Sequence, residues 1–419
     1  MNRFLYSFLV WLSIPIALLK IIVKDSRHPS WKVKVRNQLG LVKKISGRVI
    51  WIHSVSLGEF NASKPLVDLL FEHYPSHKIV ISTTTMTGSV EVKKHYKSKV
   101  THCFFPFDSE IIVKSFLKKI NPEICILMET EIWPNLINQL KVKNIPIALI
   151  NARLSEKSFH KYQRFSSRLI SESLKNITLI CSQNIFSSER LVSLGANKEK
   201  LSTTGSLKFD INDSIDNELT NTLKQMIGER SVVVFASTRD GEEKLIIDSY
   251  LKFKENLDSL LLIVPRHPER FNAAFNIAKD AGLKVQRKSI DEKCSENTDI
   301  LIGDSMGEMM EYYSIGDIAF IGGSLSDNGG QNMLEAASLS KPIIFGPSTY
   351  NFEDVSKQLL DNDASIQVAN ADELMRTISE LLTNDLRRQE LGANARKTFN
   401  NNQGAVYKTL DLIRPLIKA

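Results

Sequence analysis

The sequence predicts an α/β protein built from two doubly wound, parallel-sheet domains in tandem, behind a single apolar N-terminal helix. Three observations lead there. Past Gly47 short β-branched runs alternate with longer amphipathic stretches, the pattern of βαβ units. That rhythm breaks once, in the polar stretch 209–222, and then restarts. Between Phe4 and Val23 the only charge is Lys20. Over 419 residues, 42% hydrophobic and 24% charged content is ordinary globular composition, which excludes a disordered or polytopic membrane chain.

The N-terminal run FLYSFLVWLSIPIALLKIIV (4–23) would span ~30 Å as a helix, the thickness of a bilayer's hydrocarbon core. Lys24, Asp25, Ser26 and Arg27 follow it in place of a small-residue cleavage site, so the segment is expected to be retained. Residues 1–48 hold ten Lys/Arg against one acid, Asp25, whereas the remaining 371 residues hold 44 basic and 46 acidic groups. The net charge of +7 therefore belongs to the N-terminus, and the rest offers no footprint for nucleic acid. Anionic lipid accounts for the basic cluster, at ~1 kcal/mol per juxtamembrane Lys/Arg, and its position leaves residues 24 onward in the cytoplasm. Two forms stay open: a spanning helix, or a half-inserted monotopic one bent at Pro15, since Ser7, Ser13, Pro15 and Lys20 weaken a span.

Strands are expected in 49–56, 78–84, 101–107, 123–129, 145–151 and 177–183, then in 231–238, 259–266, 298–304, 317–324 and 341–347. The division that follows is an anchor with a basic juxtamembrane segment (1–48), a first domain (49–208), a linker (209–230), a second domain (231–400) and a C-terminal helix (401–419) packing back toward the first domain. Cys103, Cys125, Cys181 and Cys294 are too scattered for a zinc pattern and read as reduced core residues, and the eight histidines suggest no metal pair. No metal and no cofactor is expected.

In doubly wound sheets ligands bind beyond the C-terminal strand ends, and between two such domains the expected site is a cleft. Glu59, in HSVSLGE (53–59), stands where the first strand meets its helix and suits a general base acting on a hydroxyl, or an ordinary helix N-terminal acid. Glu129 and Glu131, beside Trp133, occupy the same kind of place after the fourth strand. Thr83–Ser89 is a hydroxyl-rich loop, and Lys208 stands at the hinge. In the second half, Arg266 suits a phosphate and Gly303–Glu308 a base and ribose. Eight of the nineteen glycines fall within 303–346, and the GG-x5-GG run 322–330 before a helix suits an anion. These spacings describe a nucleotide-sugar enzyme on a membrane.

The blocks HSVSLGE (53–59), TTTMTGS (83–89), METEIWPNLI (128–137), NARLS (151–155), GSLKFD (205–210), PRHPERF (265–271), GDSMGEM (303–309), GGSL (322–325), GGQNMLEAA (329–337) and FGPSTYNF (345–352) go further. In this order the chain resembles the 3-deoxy-D-manno-octulosonate (Kdo) transferases of lipopolysaccharide inner-core synthesis, from about residue 4 to the C-terminus. The resemblance implies a glycosyltransferase-B fold of two Rossmann-like domains facing a cleft, CMP-Kdo as donor, and transfer with inversion. The implied acceptor is the 6′-hydroxyl of the tetra-acyl lipid A precursor, at the cytoplasmic face of the inner membrane. By position it implies Glu59 as proton acceptor, Glu129 and Lys208 as transition-state stabilisers, and Pro265, Arg266, Met306, Gly307, Glu308, Asn332, Met333, Leu334 and Glu335 as the CMP-binding set. Two blocks depart from the family: GGQNMLE stands where GGHNPLE is expected, and STRDGEE (237–243) where STHEGEE is expected. Arg239 is thereby a candidate extra contact to CMP or the Kdo carboxylate. A UDP-sugar transferase of the same fold, a nucleotide-sugar epimerase and a membrane-tethered binding module are the rival readings. The number of Kdo residues added, the acyl preference and the oligomeric state are not legible.

Overall fold

The computed structural model describes residues 2–211, 213–291 and 293–418. The chain divides into two compact units, Met1–Asp210 with Gln403–Ala419, and Ile211–Asn402.

The first unit is a seven-stranded, all-parallel sheet of β1 (Val49–His53), β2 (Lys78–Thr83), β3 (Thr101–Phe104), β4 (Ile124–Met128), β5 (Ile147–Ala152), β6 (Leu179–Ser182) and β7 (Leu201–Thr203). Their order is β3-β2-β1-β4-β5-β6-β7. Strands β1, β4 and β5 are buried along their whole length because helices cover both faces, which is why they read as unbroken apolar runs without alternation. Alternate residues feed two cores, one around Trp51, Phe116 and Leu136 and the other around Phe60, Leu66 and Ile126. The winding reverses between β1 and β4, opening a crevice at their C-terminal ends.

The second unit repeats the plan with β8 (Val232–Thr238), β9 (Leu260–Pro265), β10 (Val285–Arg287), β11 (Ile300–Ile302), β12 (Ile318–Ile321), β13 (Ile343–Phe345) and β14 (Ser365–Gln367). Its order is β10-β11-β9-β8-β12-β13-β14, reversing between β8 and β12. Every expected run contains a strand. The unexpected strands β7, β10 and β14 each have three residues and lie at sheet edges, where partial exposure removes the apolar signal.

Three expected boundaries need correction. The linker 209–230 contains the helix Asn217–Ile227, capped by Asp216 and burying Thr220, Leu223, Met226 and Ile227 in the second unit; its narrow apolar stripe is hidden among polar residues. The helix Asp385–Asn402 runs past residue 400. The C-terminal helix proper, Ala405–Ile413, belongs to the first unit, where Val406, Leu410 and Ile413 enter the core and Asp210 accepts from the N–H groups of Gly404 (2.6 Å) and Val406 (2.7 Å).

Residues 1–48 are likewise part of the first unit. The helix Arg3–Asp25 is fastened near both ends: the Tyr6 hydroxyl donates to Asp108 (2.9 Å), Ser7 to Asn135 (3.0 Å), and Lys34 of the next helix (Trp31–Gln38) to Asp25 (2.7 Å). Its other face leaves Phe4, Phe8, Trp11, Leu12, Leu19 and Val23 exposed. Lys34 is thus a buried fold residue, set over the Phe104 ring, and not a member of the exposed basic cluster, whereas Lys32 and Arg36 are exposed.

Candidate active site

At the reversal point of the first sheet, the sequence Ser56-Leu57-Gly58-Glu59 opens the helix Leu57–His73 as a capping box. The Ser56 hydroxyl accepts from the Glu59 N–H, and the Glu59 carboxylate accepts from the Val55 N–H (2.8 Å) and from the Ser56 hydroxyl (3.3 Å). Glu59 is therefore a helix acid, yet its electrostatics exceed that role. Burial, and then the Glu129 carboxylate, push its carboxyl up to about 8 against the opposing hydrogen bonds. Glu129 follows β4 in the left-handed region at φ 55°, with its N–H held by the Ile150 carbonyl (2.9 Å). Lys208, on the 3-10 turn Leu207–Phe209, reaches it at 3.5 Å. That turn is held by the Asp210 contacts to the C-terminal helix and by Asn151, whose Oδ1 accepts from the Leu207 N–H (3.0 Å).

Glu131, the second acid of the pair, is committed elsewhere. It accepts from the Trp133 indole (2.7 Å) and faces the fully buried His53 ring at 3.6 Å, which in turn stacks on Phe105. The hydroxyl loop Thr83–Ser89 caps its own helix, Met86–Tyr96, through Thr85 to the Gly88 N–H (3.1 Å). His73 and His77 do have the spacing H-x-x-x-H, contrary to the expectation of no histidine pair. The helix ends at His73, however, and His77 faces Glu123 at 3.3 Å. Among the described residues no three His, Cys, Asp or Glu side chains group as for a metal ion, and all four cysteines are buried thiols.

At the reversal point of the second sheet the chemistry has the opposite sign. Arg239 follows β8, and Arg266 and His267 follow β9. The Arg239 guanidinium lies 2.6 Å from His267 Nε2, so that nitrogen accepts and the ring is neutral; burial and then Arg239 hold its pKa below the usual range. Glu335 is kept high by burial and drawn down by its hydrogen bond from Asn332 (3.0 Å) and by Arg266. Glu308 is held by Lys288 (2.8 Å), Ser305 and Tyr312, with burial opposing the net fall in its pKa. Met306 is half exposed, and Gly307 sits at φ 90° with open space beside it. Pro265, Met333 and Leu334 are buried; any ligand contact from the last two is through backbone.

The glycine run does not present the free N–H groups expected of it. Buried Glu242 accepts from Arg239 (2.9 Å), Gly323 (2.6 Å) and Leu325 (2.9 Å), while Ser348 and the Gly323 carbonyl take those of Gly329 and Gly330. Gly322 and Gly346 instead permit close backbone approach: a Cβ there would lie 2.6 Å from the Ser237 carbonyl oxygen and 2.4 Å from that of Ser324.

Residues 33–211 match the family model for 3-deoxy-D-manno-octulosonic-acid transferase (kdotransferase), and residues 230–398 that for glycosyl transferases group 1. The 3-deoxy-D-manno-octulosonic acid transferase of Haemophilus influenzae is 36% identical over 425 residues, covering 100% of this chain and 99% of that one. The chain belongs to the Kdo transferase family. The Bordetella pertussis Kdo transferase is 32% identical across 87% of this chain and 86% of its own. Among solved structures, the UDP-GlcNAc 2-epimerase of Neisseria meningitidis matches with a TM-score of 0.58 over 88% of this chain and 100% of its own, at 14% identity, a likeness of fold alone. As a Kdo transferase of glycosyltransferase-B fold, the chain carries Glu59, Glu129 and Lys208 together at one sheet's reversal point and Arg266, Asn332 and Glu335 together in its other unit. Sequence reasoning missed Asn151 and Asp108, whose partners lie 56 and 102 residues away in the chain. It also missed Glu242 as the acceptor of the glycine loop, 81 residues from Gly323.

Proposed function

We propose that this Kdo transferase moves Kdo from CMP-Kdo to the 6′-hydroxyl of the tetra-acyl lipid A precursor, with inversion, at the cytoplasmic face of the inner membrane. The observation that carries the reading is Glu59: a carboxyl raised to about 8, beside a Lys208–Glu129 pair, at a ligand-binding strand end. Its carboxylate takes the proton of the acceptor hydroxyl as that oxygen bonds to the anomeric carbon and the bond to CMP breaks. Glu129 and Lys208 stabilise the charges that develop, and Arg266, with Asn332, Glu335, Glu308 and the backbone of Met306, Gly307, Met333 and Leu334, holds CMP. Arg239, which stands where the family pattern has His, adds a bidentate donor for the phosphate or the Kdo carboxylate. The leaving group carries one phosphate, and no metal enters the reading; activity undiminished in EDTA is the check.

The N-terminal helix serves as an in-plane anchor. A spanning helix would carry its two ends to opposite sides of the bilayer, yet Tyr6 binds Asp108 and Asp25 binds Lys34, whose helix is tied to β3 by Asn37 accepting from the Phe104 N–H. The exposed Phe8, Trp11, Leu12 and Leu19 face fits a monotopic insertion. Incubation with CMP-Kdo and the tetra-acyl precursor, followed by mass spectrometry, tests the whole reading. Addition of Kdo by the native protein and its loss in Glu59→Gln are expected. No transfer by the native protein, or full transfer by the variant, overturns it.

A further inference from the structure

Asn151 has four properties that its place in the core does not require. It is fully buried at the end of β5, where the pairing with β6 shifts register between Leu149 and Ala152. Its backbone is left-handed, at φ 51°. Its Oδ1 accepts from the Leu207 N–H at 3.0 Å and its carbonyl from the Gln183 side chain at 2.9 Å. Its Nδ2 has no acceptor among the described residues. Because Oδ1 must face an N–H, the amide cannot be turned over to relieve Nδ2. A left-handed backbone and an unpaired buried donor both oppose folding, and a residue that combines them persists where it holds something else in place.

What it holds is visible on either side. The preceding carbonyl, Ile150, accepts from the Glu129 N–H, and the Asn151 side chain accepts from the residue before Lys208. One dipeptide thereby fixes the backbone beneath both members of the Lys208–Glu129 pair. We propose that Asn151 is a positioning residue for Kdo transfer, acting through Lys208: it sets the Leu207–Phe209 turn so that the ammonium stands against Glu129. The proposal rests on the catalytic reading of Glu59, Glu129 and Lys208 given above. Asp210 ties the far end of that turn to the Gly404 and Val406 N–H groups, and Asn151 ties its near end at Leu207; a displacement of 1 Å can reduce turnover by about a hundredfold.

The test is a double-mutant cycle of Asn151→Gly and Lys208→Ala, reading kcat and KM for CMP-Kdo together with the melting temperature. Glycine accepts the left-handed backbone, so only the side chain is lost. Asn151→Gly is expected to lower kcat by about ten- to a hundredfold with KM within about twofold, and to add less than about twofold to the loss already caused by Lys208→Ala. Should the glycine variant not fold, Asn151→Ser carries the same cycle, since its side chain is one atom too short to present an acceptor where Oδ1 meets the Leu207 N–H. Full activity in the Asn151 variants, or losses that multiply with Lys208→Ala, overturns the proposal while leaving the catalytic reading intact. A Lys208→Ala enzyme as active as the native one overturns both.

Discussion

The two sheet reversal points are built alike and charged oppositely. In the first unit the Glu129 and Glu131 carboxylates both act on Glu59, one lysine, Lys208, pairs with Glu129, and the buried Ser54 Oγ and Asn151 Nδ2 have no hydrogen-bond partner among the described residues. In the second, Arg239, Arg266 and His267 follow the first two strands, and buried Glu242 accepts from the N–H groups of Arg239, Gly323 and Leu325. The contrast between Glu59 and Glu242 is the instructive one. Both are acids in the first turn of a helix that follows a unit's first strand. Glu242 accepts three backbone N–H bonds at 2.9 Å or less. Glu59 accepts one, faces another carboxylate and is driven toward its neutral form. One holds a loop; the other is held toward its protonated form.

The comparison breaks most readily at Glu59. Glu59→Gln should lower kcat by about a thousandfold with CMP-Kdo binding by calorimetry unchanged, as expected for a general base. In the native enzyme kcat/KM should rise with pH and level off near pH 8, because only the deprotonated carboxylate can accept the proton; the variant should lack that limb. Next comes Glu242→Ala, which removes the acceptor of three N–H groups, one of them buried, and should destabilise the second unit by about 3 kcal/mol in denaturant titration. Glu59→Gln should do the reverse. The folded carboxyl holds its proton up to about pH 8 against an ordinary value of 4.5, so stability declines as pH rises across that window. Above pH 8 the neutral glutamine should therefore be more stable, by about 1–2 kcal/mol once partial solvent exposure is allowed for. Equal signs for the two substitutions would erase the distinction.

Reversing exposed Lys32 and Arg36 to Glu should weaken binding to anionic vesicles by about thirtyfold in co-sedimentation, at ~1 kcal/mol per basic residue lost, and spare CMP-Kdo binding. Lys34→Glu should instead lower the melting temperature, since its partner is Asp25. The smallest effect expected is on donor affinity: Arg239→Ala should raise the KM for CMP-Kdo about tenfold with kcat nearly constant, the signature of an interaction shared by ground and transition states. An unchanged KM would leave Arg239 as a partner of His267 and nothing more.

Much of the molecule was legible in one dimension because doubly wound sheets write their central strands as continuous apolar runs, and the reactive side chains follow those runs within a few residues. Glu59, Glu129 and Arg266 were found that way, whereas Arg239 stood out only against the family pattern. The edge strands, with one flank open, and the helix Asn217–Ile227, with a single narrow stripe, left weaker marks. The glycine run misled for a related reason: φ and close approach demand glycine whether the neighbour is a phosphate or another strand's carbonyl, and here it is the Ser237 and Ser324 carbonyls.

By itself the sequence determined the family, the two-sheet plan and the residue types at each strand end, since these depend on local periodicity and on motifs a few residues long. Tertiary structure alone decided which of several acids has a raised pKa, that Lys34 belongs to the fold, that the apolar helix is fastened near both ends, and that Glu242 occupies the glycine loop. Apart from the Lys34–Asp25 pair, nine residues apart, these depend on partners distant in the chain, as Tyr6 and Asp108 are by 102 residues and Leu207 and Asn151 by 56. Burial and hydrogen bonding set the energies of such groups, and neither is a property of neighbouring residues in sequence.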